Sequence, residues 1–470
     1  MHRCPPKSRR AFDACAVALL PWVLAAGCSF YRGAPLPPAD LPLRTELPPS
    51  GHVGEELDRI GNPLVASRKL SMDGALDPDA AALLALVLNP ELVAARDAHG
   101  EAAAQLLQAG LLPNPSLAGE ADQPYGSQAA GLVTALNFGL SIDARTILTL
   151  PVRREAAQRS LEQVDLGIAW QEWQVAQNAR LLTTRLAWLE RRLALLDGEI
   201  ALEADTTAAL ERAVASGDVT IAQLGVQRAA LEGFRRQRDD LEQVAAQTRA
   251  ELLGLLGDPT GLDPEIHVVA PVPVARRPPG VDEVLQECLT QRLDLEALRR
   301  GYDAQDARLR QALIEQLPNI SVGVVRQRDE SSVEFFGGLV NVSLPVFDRN
   351  QAQVALESAT RERLGHEYEA RVIATRASLD ALARVGDVIA RRLPEVKASI
   401  GPLASIEAAE RAAADRGDLD RLVYQTVRTS LLEQRLQEAA LTQGLAETWV
   451  GIATACGGEN VAPGASEARA

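Results

Sequence analysis

The residue whose type and setting most plainly call for chemistry is Cys28, which ends the run Leu24-Ala25-Ala26-Gly27-Cys28. Upstream lie Arg3, Lys7, Arg9 and Arg10, then an apolar stretch from Ala14 to Ala26. A basic start, an apolar stretch and small residues at a cut site make an export signal. The stretch falls short of the ~20 apolar residues a spanning helix needs. Cleavage before Cys28 would leave a thiol at the new N-terminus for acylation by a fatty acid such as palmitate. Residues 1–27 therefore read as a lipoprotein signal peptide and Cys28 as the lipidation site. Ala25 stands where a larger aliphatic residue is commoner, and the alternative is an ordinary cleaved signal that leaves a free thiol. Ser29 after the cysteine, in place of Asp, favours transfer to the bacterial outer membrane.

Little else in the chain is arranged for chemistry. The histidines His2, His52, His99, His267 and His366 make no metal spacing, and no metal site or other cofactor is expected beyond the covalent lipid on Cys28. There is no glycine-rich phosphate loop, no His-Glu-x-x-His and no nucleophile elbow, so an enzyme is not expected. Of the five cysteines, Cys4 and Cys15 leave with the signal; only Cys288 and Cys456 remain beside Cys28, and sequence leaves open whether they pair. Loss of the signal removes four basic residues and one acidic residue, which moves the formal charge from −15 to about −18 and argues against a nucleic-acid partner.

The elements around these residues are organised as a duplication. Residues 79–120 open with an Ala/Leu-rich helix carrying Asn89-Pro90-Glu91-Leu92, then Leu112-Pro113-Asn114-Pro115-Ser116-Leu117. Residues 281–325 repeat the plan with Asp294-Leu295-Glu296 and Leu317-Pro318-Asn319-Ile320-Ser321-Val322. Each copy continues into a second alternating stretch and a very long helix, which stops at Ser216-Gly217-Asp218-Val219 in the first and Arg416-Gly417-Asp418-Leu419 in the second. The domains that follow are a tether over 28–75, a first repeat over 76–265, a second over 266–456 and a disordered tail over 457–470.

Period-two alternation places Leu132, Leu136, Phe138, Leu140 and Ile142 on one strand face, then Ile320, Val322, Val324, and later Val340, Val342, Leu344 and Val346. Four strands cannot close a barrel, for which about eight is the smallest filled size; three chains would supply about twelve. With no apolar run long enough for a spanning helix after the signal, any crossing must be a closed barrel. The alternative is a small soluble sheet capping a helical domain. From Val152 to Ser216 the pattern is helical, with Leu182, Leu186, Leu189, Leu193, Leu196 and Ile200 stepping by fours and threes as a coiled-coil seam. The second long helix echoes it through Leu379, Leu382, Ile389, Leu393 and Val396, with Pro394 and Gly401-Pro402 expected to kink or interrupt it. Returning helices are expected over 219–256 and 419–455, and repeat-opening helices over 79–111 and 281–316.

Leu88-Asn89-Pro90-Glu91-Leu92, the Leu112-Pro113-Asn114-Pro115 strand start and the two glycine tips before Leu224 and Leu422, in this order along a duplicated plan, resemble the TolC family of outer-membrane efflux proteins over residues 75–456. The resemblance implies a mainly α fold with a small transmembrane β part: a homotrimer whose helical hairpins form an α-barrel tunnel and whose strands, four per chain, form a twelve-stranded β-barrel. It implies a periplasmic adaptor protein and an inner-membrane pump of the resistance-nodulation-division type as partners, with outer-membrane lipid around the barrel. Gly217, Asp218, Val219, Gly417, Asp418 and Leu419 would be the adaptor-contact tips, each Asp also suited to cap the next helix. Family members gate this end with acidic residues past the second tip. Val423 and Thr426 hold the places expected for gate carboxylates, so the candidates are Asp415, Arg416, Asp420, Arg421 and Tyr424. The Trp170–Trp173 pair and the Ser-Gly-Asp tip look like the heavy-metal-efflux branch, although tryptophans here also suit packing between helices. Tyr125, Phe335 and Phe336 fall between the paired strands and suit a surface rim. Two rivals remain: a type I-like protein secretion conduit, and a non-conducting coiled-coil lipoprotein that spaces the membrane from a partner.

Overall fold

The computed structural model describes residues 33–36, 50–61, 75–127, 129–257, 267–269, 276–416 and 421–458. The chain falls into two units, Met1–Leu43 and Arg44–Ala470. In the first, residues 33–36 are exposed and carry no regular secondary structure. The signal peptide, Cys28 and the tail from 459 onward lie outside the described residues.

In the second unit a short helix α1 (Ser50–Ile60) precedes two copies of one plan. The first is β1 (Ala75–Leu76), α2 (Pro78–Leu88), α3 (Pro90–Gly110), β2 (Ser116–Asp122), β3 (Ala135–Asp143), α4 (Ala144–Ser216) and α5 (Ile221–Leu255). The second is β4 (His267–Val268), α6 (Val281–Gln291), α7 (Leu293–Ile314), β5 (Asn319–Arg328), β6 (Glu334–Ser343), α8 (Gln351–Arg416) and α9 (Arg421–Cys456). β1 and β4 pair in parallel and so join the starts of the two copies.

The opening helices differ from expectation, because each is broken in two. At Asn89 the backbone is extended; its side-chain oxygen accepts from Leu92 N (3.0 Å) and Pro90 fills the first turn of α3. Proline disfavours helical geometry at the residue before it and lacks an N–H, which the first helical position does not need. In the second copy Arg292 makes the same break, held by its guanidinium on Asp294 (2.9 and 2.6 Å).

The long helices also differ. α4 starts at Ala144, where Asp143 caps it by accepting from Arg145 N (2.8 Å) and Thr146 N (3.2 Å), and it runs through Pro151 for 73 residues, about 110 Å at 1.5 Å per residue. α8 runs unbroken through Pro394 and Pro402. Each proline removes one ladder bond, and the buried neighbours Leu393 and Val396 hold that stretch in the helix interface, Leu393 against Leu445 and Trp449 of α9. The tryptophans of the first hairpin pack as the sequence suggested. Trp173 is 1% exposed with its indole N–H on Thr454 O (3.4 Å), and Trp170 lies under the Arg292 guanidinium at 4.6 Å.

The four longer strands form one antiparallel sheet in the order β2-β3-β5-β6. Its register separates two faces. Leu117, Leu140 and Val324 stand in one row; Phe138, Arg326 and Phe336 in another; Ile142, Val322 and Val340 in a third; Ile320 and Val342 in a fourth. The opposite face is mainly polar, with Ser116, Glu120, Asn137, Ser141, Ser321, Gln327, Asn341 and Ser343, and also carries Val325, Phe335 and Leu339. Among the described residues nothing covers the apolar face: Phe336 is 79% and Val340 68% exposed. Three strand ends differ from expectation. Leu132, Leu344 and Val346 lie outside the strands, and Phe335 and Phe336 lie inside β6, paired with Gln327 and Arg326. The turn between β5 and β6 is tight, with Asp329 Oδ1 accepting from Ser331 N and Val333 N (both 2.9 Å) and Ser332 at φ 67°. Few residues are consumed, so the phenylalanines fall within the strand. Tyr125 does sit between strands and is 96% exposed.

The largest core gathers Leu84, Leu88, Leu186, Leu196, Leu252 and Leu436 from α2, α4, α5 and α9. A smaller one surrounds a Cys288–Cys456 disulfide joining α6 to the end of α9 across 168 residues of chain. Closing a loop of that length restricts the denatured chain by on the order of 5 kcal/mol in the chain-entropy account.

Candidate functional site at the hairpin tips

The first tip is a glycine turn followed by a capping box. Gly217 sits at φ 85°, open to glycine at no steric cost, while Gly217 N donates to Val214 O (3.1 Å) and Asp218 N to Ala213 O (2.9 Å), which closes the end of α4. Asp218 does not cap the next helix, contrary to the sequence reading. Its carboxylate accepts from Ser216 Oγ (2.6 Å), and the cap is Thr220, whose hydroxyl accepts from Gln223 N (3.3 Å) while Gln223 Oε1 accepts from Thr220 N (3.0 Å). Two residues after Gly217 are needed to reorient the chain, so the cap falls later than Asp218. Val219 is half-buried.

At the second tip Gly417, Asp418, Leu419 and Asp420 lie outside the described residues, as do the side chains of Asp415 and Arg421. Arg416 ends α8 and is exposed. Tyr424 is the gate candidate whose surroundings are visible. It reaches back from α9 across the hairpin and donates to Glu407 Oε1 of α8 (2.7 Å). Burial, then the bond to Glu407, pushes its phenol up to about 12, so it stays a neutral donor.

One turn further along α9 lies a cluster that the sequence did not announce. Arg428 donates from Nε to Glu199 Oε1 (2.8 Å) and from Nη2 to Glu203 Oε1 (3.2 Å), both on α4. Gln227 of α5 donates to Glu203 Oε2, and Gln425 donates to Gln227 Oε1 (2.7 Å). Its charged centre is buried, with Glu203 2%, Gln227 2%, Glu199 6% and Arg428 8% exposed, while Gln425 is half-buried. Burial raises the Glu203 carboxyl above the ordinary range despite Arg428, and the neighbouring Glu199 adds to the rise. Burial alone would lower the Arg428 guanidinium, but Glu199 and Glu203 outweigh it and hold the value up. Beside the cluster a cavity of about 680 Å³ opens between α4, α8 and α9, lined by Glu199, Leu202, Glu407, Arg411, Tyr424 and Arg428. The arrangement is a polar clasp: it ties the first hairpin to the second near their tips with charge-assisted bonds that have no rigid backbone pairing behind them.

A sequence signal for the clasp existed in Glu199-x-x-x-Glu203 and Tyr424-x-x-x-Arg428, which put each pair on one helix face. Nothing in the sequence brings those faces together. Among the described residues no group of three or more His, Cys, Asp or Glu could hold a metal ion, and no single helix is long and apolar enough to cross a membrane. α2 and α3 pass that membrane test only as a pair, bent by 51°.

Two long helical hairpins and a four-stranded antiparallel sheet are the fold of several solved bacterial outer-membrane channels. The chain has this TolC-like fold. It is similar to CusC, whose structures describe transmembrane channel formation, at 17% identity and TM-score 0.65 over 92% of this chain and 100% of that one. The Neisseria gonorrhoeae outer-membrane channel MtrE matches at 15% identity and TM-score 0.65, over 81% of this chain and 89% of that one. The Vibrio cholerae outer-membrane protein VceC matches at 13% identity and TM-score 0.65, over 81% and 96%. No sequence-family model matches the chain, and no curated protein matches it.

Proposed function

We propose that this chain is the outer-membrane channel subunit of a tripartite efflux system, a passive conduit and not an enzyme. The observation that carries the reading is the sheet: an apolar face left open along four strands of 7 to 10 residues, a mainly polar face behind it, and two edges, β2 and β6, with no strand partner among the described residues. Such a face suits lipid, and such edges suit other copies of the chain, because an edge left open in hydrocarbon would strand its backbone groups. An even strand count with antiparallel neighbours lets β6 of one copy meet β2 of the next in antiparallel sense. Three copies then close a twelve-stranded barrel with the polar face inward. The hairpins continue the wall into the periplasm, where an adaptor protein would meet the Gly217 and Gly417 tips and an inner-membrane pump of the resistance-nodulation-division type would deliver cargo. Cys28 would carry the lipid anchor. The Glu199–Glu203–Arg428 clasp with Tyr424 is the part of the gate that this reading adds to Asp415, Arg416, Asp420 and Arg421.

The deciding experiment is the mass and conductance of the mature protein in detergent and in a planar bilayer. A trimer that conducts supports the reading. A water-soluble monomer, or a trimer with no conductance in any voltage range, would favour the structural lipoprotein. Cargo is tested by growth of a deletion strain on divalent metals, basic dyes and detergents. Rescue on the metals alone would assign the heavy-metal branch, and sensitivity to none would favour polypeptide secretion.

A further inference from the structure

The two halves of the chain end in the same geometry with different chemistry. In the first half α5 stops at Leu255, Leu256 is 1% exposed, Gly257 turns at φ 80°, and Asn89 Nδ2 donates to Leu255 O (2.9 Å). The chain then returns to β4, where Val269 N donates to Leu76 O (3.2 Å) beside β1. In the second half α9 stops at Cys456, Gly457 turns at φ 72°, and Arg292 Nη1 donates to Ala455 O (2.7 Å). Cys288 stands four residues before the Arg292 break as Ala85 stands four before the Asn89 break, and Cys456 takes the place of Leu256. Ala85 and Leu256 belong to one large apolar core. Their counterparts are a disulfide in a core whose other buried members are Val284, Leu285, Leu379 and Ile452.

We infer that the Cys288–Cys456 bond does for the second half what the apolar packing of Ala85 and Leu256 does for the first: the end of α9 docks stably on α6 only after an exported dithiol oxidase has joined the two thiols. Both sulfurs are fully buried in the finished structure, so the oxidant must reach them before α9 seats. The step balances as thiol–disulfide exchange. One chain thiolate attacks the oxidant's disulfide to give a mixed disulfide, the second displaces it, and the oxidant leaves as a dithiol with the electron pair and the two protons. A single long-range bond of this kind is at home in an oxidising compartment. The inference rests on the export part of the proposed function and not on conduction.

The test uses the full-length protein extracted from membranes, with limited proteolysis mapped over residues 442–458, before and after reduction and alkylation. Reduction should raise cleavage there at least tenfold, and Cys288→Ser with Cys456→Ser should show the fast rate in either condition. Cys288→Ala with Cys456→Leu, which copies the first-half pair, should be indifferent to reductant and cleave at an intermediate rate. From cells lacking the exported oxidase, both thiols should label with maleimide after unfolding. Equal cleavage of oxidised and reduced wild-type protein would overturn the inference, and so would full maleimide labelling of protein from oxidase-competent cells. If the serine variant fails to accumulate, reduction of preformed wild-type protein still decides. Because the readout is cleavage of α9 and not transport, a failed conduit reading and a failed disulfide reading give different results.

Discussion

Arg428 serves two buried carboxylates with one guanidinium, so one carboxylate in the clasp is always under-compensated. That is Glu203, whose pKa is raised first of all by burial. An acid whose folded pKa is raised keeps its proton in the folded state over a pH range where the unfolded chain has lost it. Its contribution to stability is therefore present at low pH and lost as pH rises from the ordinary carboxylate range through the raised value. The clasp should tighten on acidification, seen as a higher thermal midpoint at a pH in the ordinary carboxylate range than at one well above it and, in the proposed channel, as a lower open probability at the more acid of the two. Glu203→Gln should hold the low-pH behaviour at both values; an unchanged pH slope in that variant would place the sensor elsewhere. Arg428→Ala leaves Glu199 and Glu203 without a counter-charge in a dry interface and should cost about 3 kcal/mol, read as a lower midpoint together with higher basal conductance. Tyr424→Phe loses one bond to Glu407 and should cost about 1 kcal/mol, with no change between pH 7 and pH 10, since the phenol is pushed up to about 12. Reading the sequence found Tyr424 by its closeness to the tip but missed Arg428, because its two partners lie 229 and 225 residues away on another hairpin. Helix periodicity fixes which side chains share a face and says nothing of which faces meet.

Strands were the more legible element, because period two survives in a sheet with one apolar and one polar face. Leu136, Phe138, Leu140 and Ile142 do share a face with Val322 and Val324. What failed was the extent of several elements, and at four boundaries the cause was local. Asn89-Pro90 and Arg292 split helices that periodicity runs straight through, Asp329 tightened a turn and drew Phe335 and Phe336 into β6, and Thr220 took the capping role that spacing gave to Asp218. Side-chain hydrogen bonds set these boundaries, to backbone at Asn89, Asp329 and Thr220 and to the Asp294 carboxylate at Arg292, and they depend on rotamers that a sequence does not display. The alternation itself makes a prediction. Val322→Lys places a charge on the apolar face near the middle of β5 and should cost about 2–4 kcal/mol on insertion, leaving little heat-stable trimer in membranes. Ser321→Lys, one residue away on the polar face, should insert normally. Equal trimer yields from the two variants would mean that the apolar face does not meet lipid.

In the trimer proposed above, the faces of one sheet would become an inside and an outside, and the charges would sort with them. The polar face carries Glu120, Asp122 and Asp143, while the arginines of the sheet, Arg326 and Arg328, stand on the apolar face at the end of the strands far from the helices. Arg326 is there paired with Glu334 (3.1 Å) and Arg328 donates to Thr134 O (3.0 Å), so neither is turned to the polar side. Closure of three copies with the polar face inward would set three rings of carboxylates around the lumen with no ring of cations from the strands to offset them. Low-dielectric walls strengthen such a field, and a lumen of one sign raises the local concentration of the opposite ion. A salt gradient across a bilayer holding the trimer should give a reversal potential on the cation-selective side, decreasing with ionic strength as screening shortens the reach of the rings. Glu120→Gln with Asp122→Asn should move that potential towards zero while leaving single-channel conductance in concentrated salt nearly unchanged, because neither residue supports the sheet. Asp143→Asn is a poorer probe, since Asp143 also caps α4. If the double variant keeps the full cation preference, selectivity belongs to the helical tunnel, where the charged tips and the clasp lie, and the barrel is only the exit.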